Sequence, residues 1–262
     1  CDESNILSII DRQLFGEAPG VLQRIALCYC VISFTALFMN HKFIPTLTFI
    51  LLVSYTVILC MGNGYTCDES NILSIIDRQL FGEAHLYQKS PIDPEGFVST
   101  LSAIAHTCIG FSCGKWIIQS HQTENKVLRL FLTGFILMSI GYLLADALPL
   151  NKRIWSPTFV LVTCGAASMS LATLMYYIDI RNKQKWCRFF IIFGVNPLFL
   201  YVLSEVLAIM MGSTGWKAAA YAAIHSGITD AYLASAVYAL VFTLFLGCIG
   251  YPLYLKKIYI KL

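Results

Sequence analysis

The polar loop of residues 62–96 holds the side chains best suited to chemistry in this chain. They are Asp77, Arg78, His85, Tyr87, Asp93 and Glu95. Their carboxylate, guanidinium, imidazole and phenol groups can hold a polar ligand by hydrogen bonds. A histidine or carboxylate with a pKa near neutrality can also take a proton from a reacting group. From composition alone this segment is an ordinary solvated loop, and a polar site is the alternative.

The whole chain has the composition of a membrane protein. It is 57% apolar and 13% charged, whereas soluble domains are about 45–50% apolar and about 25% charged. A membrane span needs roughly 20 apolar residues. Seven stretches come close to this length: 21–39, 43–61, 97–114, 127–145, 155–178, 189–211 and 231–255. The sequence therefore predicts an all-α, polytopic transmembrane helix bundle of about seven spans in a lipid bilayer.

The distribution of Lys and Arg predicts how these spans are oriented. Basic residues resist translocation and therefore mark cytoplasmic loops. If the spans alternate, one side collects the basic clusters at 181–188 and 256–261. We expect a cytoplasmic C-terminus and an outer, acidic loop at 62–96. The net charge of +3 is then a topology signal, and it predicts no nucleic-acid partner.

The ten cysteines do not predict a metal site. No two of them form a CxxC pair, and most fall in apolar spans, where cysteine acts as a small hydrophobe. The sequence also contains no P-loop, dinucleotide fingerprint, zinc motif or nucleophile elbow.

One segment, CDESNILSIIDRQLFGEA, occurs at 1–18 and again at 67–84 without a difference. Structural repeats drift at exposed positions, because only their packed positions are constrained. Perfect identity therefore indicates a recent duplication or a non-native insertion. We expect residues 1–19 to be a duplicated, non-native segment and residues 20–262 to form the membrane domain, with its outer loop at 62–96.

The copy at 67–84 predicts a short amphipathic helix. Four apolar residues recur at helical spacing: Ile72, Leu73, Ile76 and Leu80. Ser70 or Asn71 can cap the start of this helix, and Gly82 can end it. The helix can lie on the membrane surface, cover the helix bundle or serve in packing alone. Downstream, we expect Asp93 to cap the next helix and Pro94 to take its first turn.

Polar side chains also fall in or beside the predicted spans. Arg24, at the outer start of the first span, can pair with an acidic loop residue such as Glu95 or Asp77, or snorkel to the interface. His106 forms a polar stripe with Ser99 and Ser102. For His106 we expect a neutral imidazole bonded to a neighbouring helix.

Two further features concern the fifth and sixth spans. Asn196 and Pro197 interrupt the sixth span, where proline frees a backbone carbonyl and bends the helix. The bend can line a cavity or be a packing kink. Trp155 begins the fifth span, at a depth typical of an interface anchor.

Several sequence blocks resemble the transmembrane acyltransferases typified by heparan-α-glucosaminide N-acetyltransferase and its bacterial relatives associated with N-acetylglucosamine use. They are GVLQRIALCY at 20–29, IIDRQLFGEAHLYQ at 75–88 with DPEGFVSTLSAI at 93–104, LPLNKRIWSPTFV at 148–160, and FGVNPLFLYVLSEV at 193–206. The resemblance implies an integral protein of the bacterial inner membrane. It also implies that acetyl passes from cytoplasmic acetyl-CoA to an amino sugar on the outer side.

The resemblance extends to candidate site residues. On the sugar side it favours Asp77, His85 and Glu95. The other substrate-binding candidates are Arg24, Arg78, Tyr87, Asp93, Asn151 and Lys152. The candidates for binding acetyl-CoA are Lys115, Asn196 and Glu205. Lys115 can instead follow the positive-inside rule, and Asn196 can belong to a packing kink.

One departure from the family limits the prediction of catalysis. The family's proposed acetyl-accepting histidine lies in helices ahead of the GVLQR block, and residues 1–19 offer no equivalent. No catalytic residue is assigned for this reason. We expect this chain by itself to bind a CoA thioester weakly and not to turn over. The family pattern also places IIDRQLFGEA directly before HLY, as at 75–87, so the 67–84 copy is the native one.

Two other functions remain open from the sequence. A transporter or permease component for N-acetylglucosamine or a related sugar needs no catalytic histidine, and the polar residues Asn196 and His106 suit a path through the membrane. A structural membrane subunit is the third possibility, and a homo-oligomer is compatible with each.

Overall fold

The computed structural model describes residues 20–82, 92–94, 96–120, 122–228 and 230–260, and those residues form helices and turns without a strand. The α-helices are α1 (Val21–Phe38), α2 (Ile44–Met61), α3 (Ile72–Phe81), α4 (Thr100–Gln119), α5 (Thr123–Leu143), α6 (Pro157–Met175), α7 (Cys187–Val195), α8 (Pro197–Ser213), α9 (Trp216–Gly227) and α10 (Ala231–Leu255). A 3-10 turn, His41–Phe43, leads into α2, and a π-helical turn, Tyr176–Ile180, extends α6.

Six of these helices are long and apolar enough to cross a membrane: α1, α2, α4, α5, α6 and α10. The pair α7 and α8 passes the same test together, but the two are bent by 82° at Asn196. If the bent pair is one span, the described residues hold seven. The predicted all-α membrane bundle of about seven spans is confirmed.

The chain divides into two compact units. Among the described residues, the first unit is 20–182 with α1 to α6, and the second is 183–260 with α7 to α10. In the first unit α4 is central, because it contacts α1, α2, α5 and α6. In the second unit α10 contacts α7, α8 and α9. The segment 1–19 lies outside the described residues, so the predicted domain division stays a prediction.

Helices α5 and α6 approach closely through glycines. A Cβ atom on Gly165 would lie 2.6 Å from the carbonyl oxygen of Gly134, and one on Gly134 would lie 2.7 Å from that of Gly165. Small residues of this kind let membrane helices pack backbone against backbone, where dispersion and weak hydrogen bonds stabilise the pair. The close contact between α5 and α6 therefore requires that these two positions be glycine.

We expect Gly165→Leu to lower the stability of the first unit, because the new side chain must push α5 away from α6. Overpacking of this kind costs about 1–3 kcal/mol. The matched control is Gly110→Leu on α4, where an added Cβ meets nothing within 4 Å. The midpoint of thermal unfolding in detergent should fall for Gly165→Leu and stay near the wild-type value for Gly110→Leu. Equal midpoints for the two variants would contradict the close-packing interpretation.

The short helix predicted in the loop is present as α3. The Asn71 side chain caps it by accepting the Leu73 N–H at 2.8 Å, and Gly82 ends it with a φ of 76°. Leu73 packs into a buried core with Tyr55 and Leu59 of α2. Of the alternatives left open by the sequence, α3 therefore covers and packs against the helix bundle.

The expected start of the next helix is wrong. Helix α4 begins at Thr100, so Asp93 does not cap it and Pro94 is not in its first turn. The preceding residues form turns, in which the Gly96 N–H donates to the Asp93 carbonyl at 3.2 Å. The Phe97 N–H donates to the Asp77 carboxylate instead of joining a helical ladder. This tertiary hydrogen bond therefore moves the start of the helix to a later residue than expected.

Candidate functional site

Arg24 joins α1 to the turn that precedes α4. Its guanidinium donates hydrogen bonds to the Pro94 carbonyl at 2.7 Å, to the Gly96 carbonyl at 3.4 Å and to the Ser99 hydroxyl. The residue is only 7% exposed. A charge at this depth is costly unless it is well bonded. The planar fork of arginine suits several acceptors at once, which a lysine could not satisfy in the same way.

Trp155 completes the surroundings of this guanidinium. The Arg24 Cζ lies 4.9 Å from the centroid of the Trp155 ring, within the range of a cation–π contact. Trp155 has a φ of 52°, a left-handed conformation that costs a bulky residue about 1–3 kcal/mol. The Tyr55 hydroxyl donates to the carbonyl of Ile154, directly before it. The fold therefore holds Trp155 in a strained position over Arg24.

Asp77 of α3 reaches the same turn as Arg24. One of its carboxylate oxygens accepts the Phe97 N–H at 2.9 Å. A Cβ atom on Gly96 would lie 2.0 Å from the other oxygen, so a larger residue there would force the carboxylate to move. Arg24 and Asp77, opposite in charge, thus hold one short turn. We call the set Arg24, Asp77, Ser99 and Trp155 the polar cluster.

The pKa of Asp77 is raised to about 6. Burial is the main cause, because it disfavours the charged form. The hydrogen bond from Phe97 opposes this shift, the nearby charge of Asp93 adds to it, and the charge of Arg24 opposes it. The carboxyl of Asp77 therefore exchanges its proton close to neutral pH, as a general base requires.

A polar stripe on α4 continues the cluster, as the sequence predicted. Ser99 and Ser102 are buried, and the His106 ring centroid lies 6.0 Å from that of Trp155. Several buried side-chain atoms in the described ranges have no hydrogen-bond partner, and Ser102 Oγ, His106 Nδ1 and Trp155 Nε1 are among them. The expected bond from His106 to a neighbouring helix is therefore not made by Nδ1. A buried polar group without a hydrogen bond costs about 1–3 kcal/mol. These three atoms belong to neighbouring side chains.

Of the other predicted sugar-side residues, Asp93 lies near Asp77, and the Lys152 carbonyl accepts the Trp155 N–H at 3.1 Å. Arg78 forms an ion pair with Glu69 at 3.1 Å, and the Glu69 side chain is 76% exposed. Asn151 accepts the Arg153 N–H at 2.9 Å, and Lys152 is exposed. His85, Tyr87 and Glu95 lie outside the described residues. Asp93 is buried and close enough to raise the pKa of Asp77.

The predicted CoA-side residues fall in different parts of the chain. Lys115 is in α4, about 24 Å along the helix axis from Ser99 at 1.5 Å per residue. Asn196 and Glu205 belong to the second unit. The Asn196 amide donates to the Ile258 carbonyl at 2.9 Å and accepts the Ile260 N–H at 2.7 Å. These hydrogen bonds hold the end of the chain, and roles of the three residues in binding acetyl-CoA stay predictions.

Metal ligands do not cluster in the part of the chain that the structure describes. No group of three or more His, Cys, Asp or Glu side chains there could hold a metal ion. The chemistry available in the polar cluster is proton transfer and hydrogen bonding.

Sequence patterns did not indicate two features of the cluster. The hydrogen bond between Arg24 and Ser99 joins residues 75 positions apart, so no local spacing reveals it. Trp155 was expected to be an interface anchor, and its packing on a guanidinium was not expected. The residue types around Trp155 do not indicate such a contact.

Two known proteins are similar to this chain. They are the heparan-alpha-glucosaminide N-acetyltransferases of Mus musculus, 27% identical over 204 residues, and of Homo sapiens, 28% identical over 204 residues. Each match covers 71% of this chain. The matches cover 30% of the mouse protein and 29% of the human one, so the chain spans less than a third of their length. No family model matches the chain.

Proposed function

We propose that this chain is part of a membrane acetyltransferase that moves acetyl from cytoplasmic acetyl-CoA to an amino sugar on the outer side. The similarity to two membrane N-acetyltransferases over 204 residues is the observation that carries the proposal. The helices of spanning length support the location in the bilayer. The polar cluster supplies groups that suit the acceptor side of such a reaction.

Asp77 is the proposed proton acceptor for the sugar amine. In the reaction, the amine nitrogen attacks the thioester carbonyl and forms the C–N bond. The C–S bond breaks, and its electron pair leaves on the CoA sulfur. The amine proton passes to the Asp77 carboxylate and from there to solvent or to the thiolate. A buried carboxylate whose pKa is about 6 is ionised at neutral pH and ready for this step.

The unpartnered atoms of Ser102, His106 and Trp155 suit the hydroxyl groups of a sugar. Ser102 Oγ can donate or accept, His106 Nδ1 can do either according to its tautomer, and Trp155 Nε1 can donate. All three are buried and without a hydrogen-bond partner within the described residues. A site whose polar groups are met only by substrate discriminates strongly against molecules that lack the matching hydroxyls.

The proposed sidedness rests on the positions of basic residues. The polar cluster lies at the N-terminal end of α4, and Lys115 lies about 24 Å further along the helix. A bilayer core is about 30 Å thick, so the two positions belong near opposite faces. The distribution of Lys and Arg supports a cytoplasmic position for Lys115, and an outer position for the polar cluster is part of the proposal.

Acetyl transfer in liposomes tests this proposal. The protein, produced from its coding sequence, is reconstituted with radiolabelled acetyl-CoA on one side and glucosamine on the other. We expect labelled N-acetylglucosamine on the glucosamine side. Protein-dependent labelling that never exceeds the background of empty liposomes would overturn the proposal.

A sugar transporter is the second candidate function, because one helix of spanning character is broken. Helices α7 and α8 meet at Asn196 with a bend of 82°, and discontinuous helices of this kind are typical of transporter binding sites. In the same liposomes, uptake of labelled N-acetylglucosamine without acetylation would favour the transporter over the acetyltransferase.

A further inference from the structure

A buried tyrosine ties the turn before α6 to a membrane-spanning helix. The Tyr55 hydroxyl of α2 donates to the carbonyl of Ile154, and both residues are fully buried. They are 99 positions apart in the sequence. The accepting carbonyl belongs to the planar peptide bond between Ile154 and Trp155. Tyr55 therefore holds the plane from which the backbone of Trp155 continues.

The opposite edge of the same peptide bond is also hydrogen-bonded. The Trp155 N–H donates to the Lys152 carbonyl at 3.1 Å. Next to it, the Asn151 N–H donates to the Ser156 hydroxyl oxygen, and the Ser156 N–H donates to the Asn151 carbonyl, both at 3.0 Å. The turn is therefore closed on itself, and the tyrosine fastens it to α2.

The held peptide keeps Trp155 in a conformation that a bulky side chain disfavours. Its φ of 52° lies in the left-handed region. Such residues persist where their surroundings over-determine them, and they cluster at ligand-binding sites. Without the hydrogen bond from Tyr55, the turn can relax toward a negative φ. Rotation about the N–Cα bond of Trp155 would then move the indole ring from its present position.

The position of this ring matters because its N–H is a buried donor without an acceptor. Within the described residues, Trp155 Nε1 has no hydrogen-bond partner. The ring centroid lies 4.9 Å from Arg24 Cζ and 6.0 Å from the centroid of the His106 ring. A buried donor that only a ligand satisfies gives specificity, and it does so only while it points at the acceptor atom of that ligand.

We propose that Tyr55 is a positioning residue, whose hydroxyl holds Trp155 where the indole N–H can donate to a hydroxyl oxygen of an amino sugar. Tyr55 does not touch the sugar and acts through the peptide bond between Ile154 and Trp155. The amino sugar as ligand comes from the proposed function, on which this role rests. Holding the indole in place before the sugar arrives lowers the cost of binding.

Two tyrosines that pack on the same core provide a matched test. Tyr65 packs against the buried core that contains Tyr55, but its hydroxyl has no hydrogen-bond partner within the described ranges. The protein is purified in detergent, and its affinity for radiolabelled glucosamine is measured by equilibrium dialysis without acetyl-CoA. Tyr55→Phe should weaken binding about fivefold, the equivalent of one net hydrogen bond. Tyr65→Phe should leave the affinity unchanged.

A double-mutant cycle shows whether Tyr55 acts through Trp155. Trp155→Phe keeps an aromatic ring but removes the indole N–H, so it should weaken glucosamine binding at least as much as Tyr55→Phe. In the Trp155→Phe background, Tyr55→Phe should weaken binding no further, because the donor that the tyrosine positions is gone. Additive losses, wild-type affinity of Trp155→Phe, or equal affinities of Tyr55→Phe and Tyr65→Phe would each overturn the proposal.

The unfolding midpoint separates positioning from a role in the fold alone. If the Tyr55 hydrogen bond served only the fold, Tyr55→Phe would lower the midpoint and still bind glucosamine like the wild type at lower temperature. That result, or a Tyr55→Phe variant that does not fold, would overturn the proposal, as would a wild-type protein that binds no glucosamine.

The affinity measured without acetyl-CoA does not depend on acetyl transfer. Protein that shows the expected pattern of affinities but transfers no acetyl would contradict the proposed function and leave the role of Tyr55 in place. Protein that transfers acetyl while Tyr55→Phe and Tyr65→Phe bind glucosamine equally would contradict the role of Tyr55 alone.

Discussion

Replacing Asp77 with Asn should lower acetyl transfer to an amino-sugar acceptor about 100-fold or more, the usual contribution of a positioned general base. The amide keeps the size of the carboxylate and can still accept the Phe97 N–H, but it cannot take a proton from the amine. The rate is measured with labelled acetyl-CoA in liposomes. Affinity for CoA should change little, because Asp77 is proposed to lie on the acceptor side.

The pH dependence of the same rate provides a second measurement. Below a pH of about 6 the Asp77 carboxyl is protonated in the folded protein, so the wild-type rate should rise with pH through about 6 and then level off. The Asn variant should lack this rise. Because folding raises the pKa, the protonated form stabilises the fold at low pH. That stabilisation should decline as the pH rises from about 4 to about 6, and it should be absent in the Asn variant.

Asp68→Asn is the matched control for Asp77. Asp68 lies in the same loop but is exposed, and hydrogen bonds from Ser70 and Thr66 lower its pKa. Its substitution should leave both the rate and the pH profile unchanged. If the two variants lose activity equally, the loop as a whole is needed and Asp77 is not the proton acceptor.

Replacing Arg24 with Ala should produce the largest loss of stability among these variants. The change leaves two backbone carbonyls and the Ser99 hydroxyl without the donor they have now. Hydrogen bonds to charged groups contribute about 1.5–3 kcal/mol each, and they are not additive, so we expect a loss of about 3 kcal/mol. Thermal or denaturant unfolding in detergent measures it.

Two comparisons make the Arg24 prediction specific. Arg24→Lys keeps the charge but cannot reach all three acceptors, so its unfolding midpoint should fall between those of wild type and Arg24→Ala. Arg153→Ala removes an exposed arginine and should change stability little. A midpoint for Arg24→Ala as high as that for Arg153→Ala would show that the polar cluster does not hold the turn before α4.

The membrane helices were predictable because hydrocarbon imposes a simple requirement. A spanning segment must be apolar over its whole length, and the predicted stretch 231–255 matches α10 (Ala231–Leu255) residue for residue. The start of α10 also has a local signal, since Asp230 accepts the N–H groups of Tyr232 and Leu233. Composition and capping agree there, so the boundary follows from the sequence.

The turn before α4 was not predictable by the same reasoning. Asp93 and Pro94 have the residue types of a helix start, but the helix begins at Thr100. The competing interactions come from Asp77 and Arg24, which are distant in sequence. Local propensity cannot include such partners. In the same way, Asn196 and Pro197 predicted a break, but its angle of 82° does not follow from the two residue types.

The sequence predicted which residues belong to the candidate site better than it predicted how they are arranged. Arg24 was expected to pair with Glu95 or Asp77 or to snorkel to the interface, and its charge does lower the pKa of Asp77. The roles of Gly96 and Trp155 depend on close approach of atoms: a Cβ that has no room and a ring stacked on a guanidinium. These depend on tertiary geometry, which residue types alone do not determine.

Asn196 couples the bend between α7 and α8 to the residues that follow α10. Its amide holds the backbone at Ile258 and Ile260, and the same residue is the pivot between α7 and α8. Straightening or closing the two half-helices would therefore strain or release the tail beyond α10. A spectroscopic label at Tyr259 would therefore report on the angle between α7 and α8. A force applied to the residues after α10 would act on the same bend.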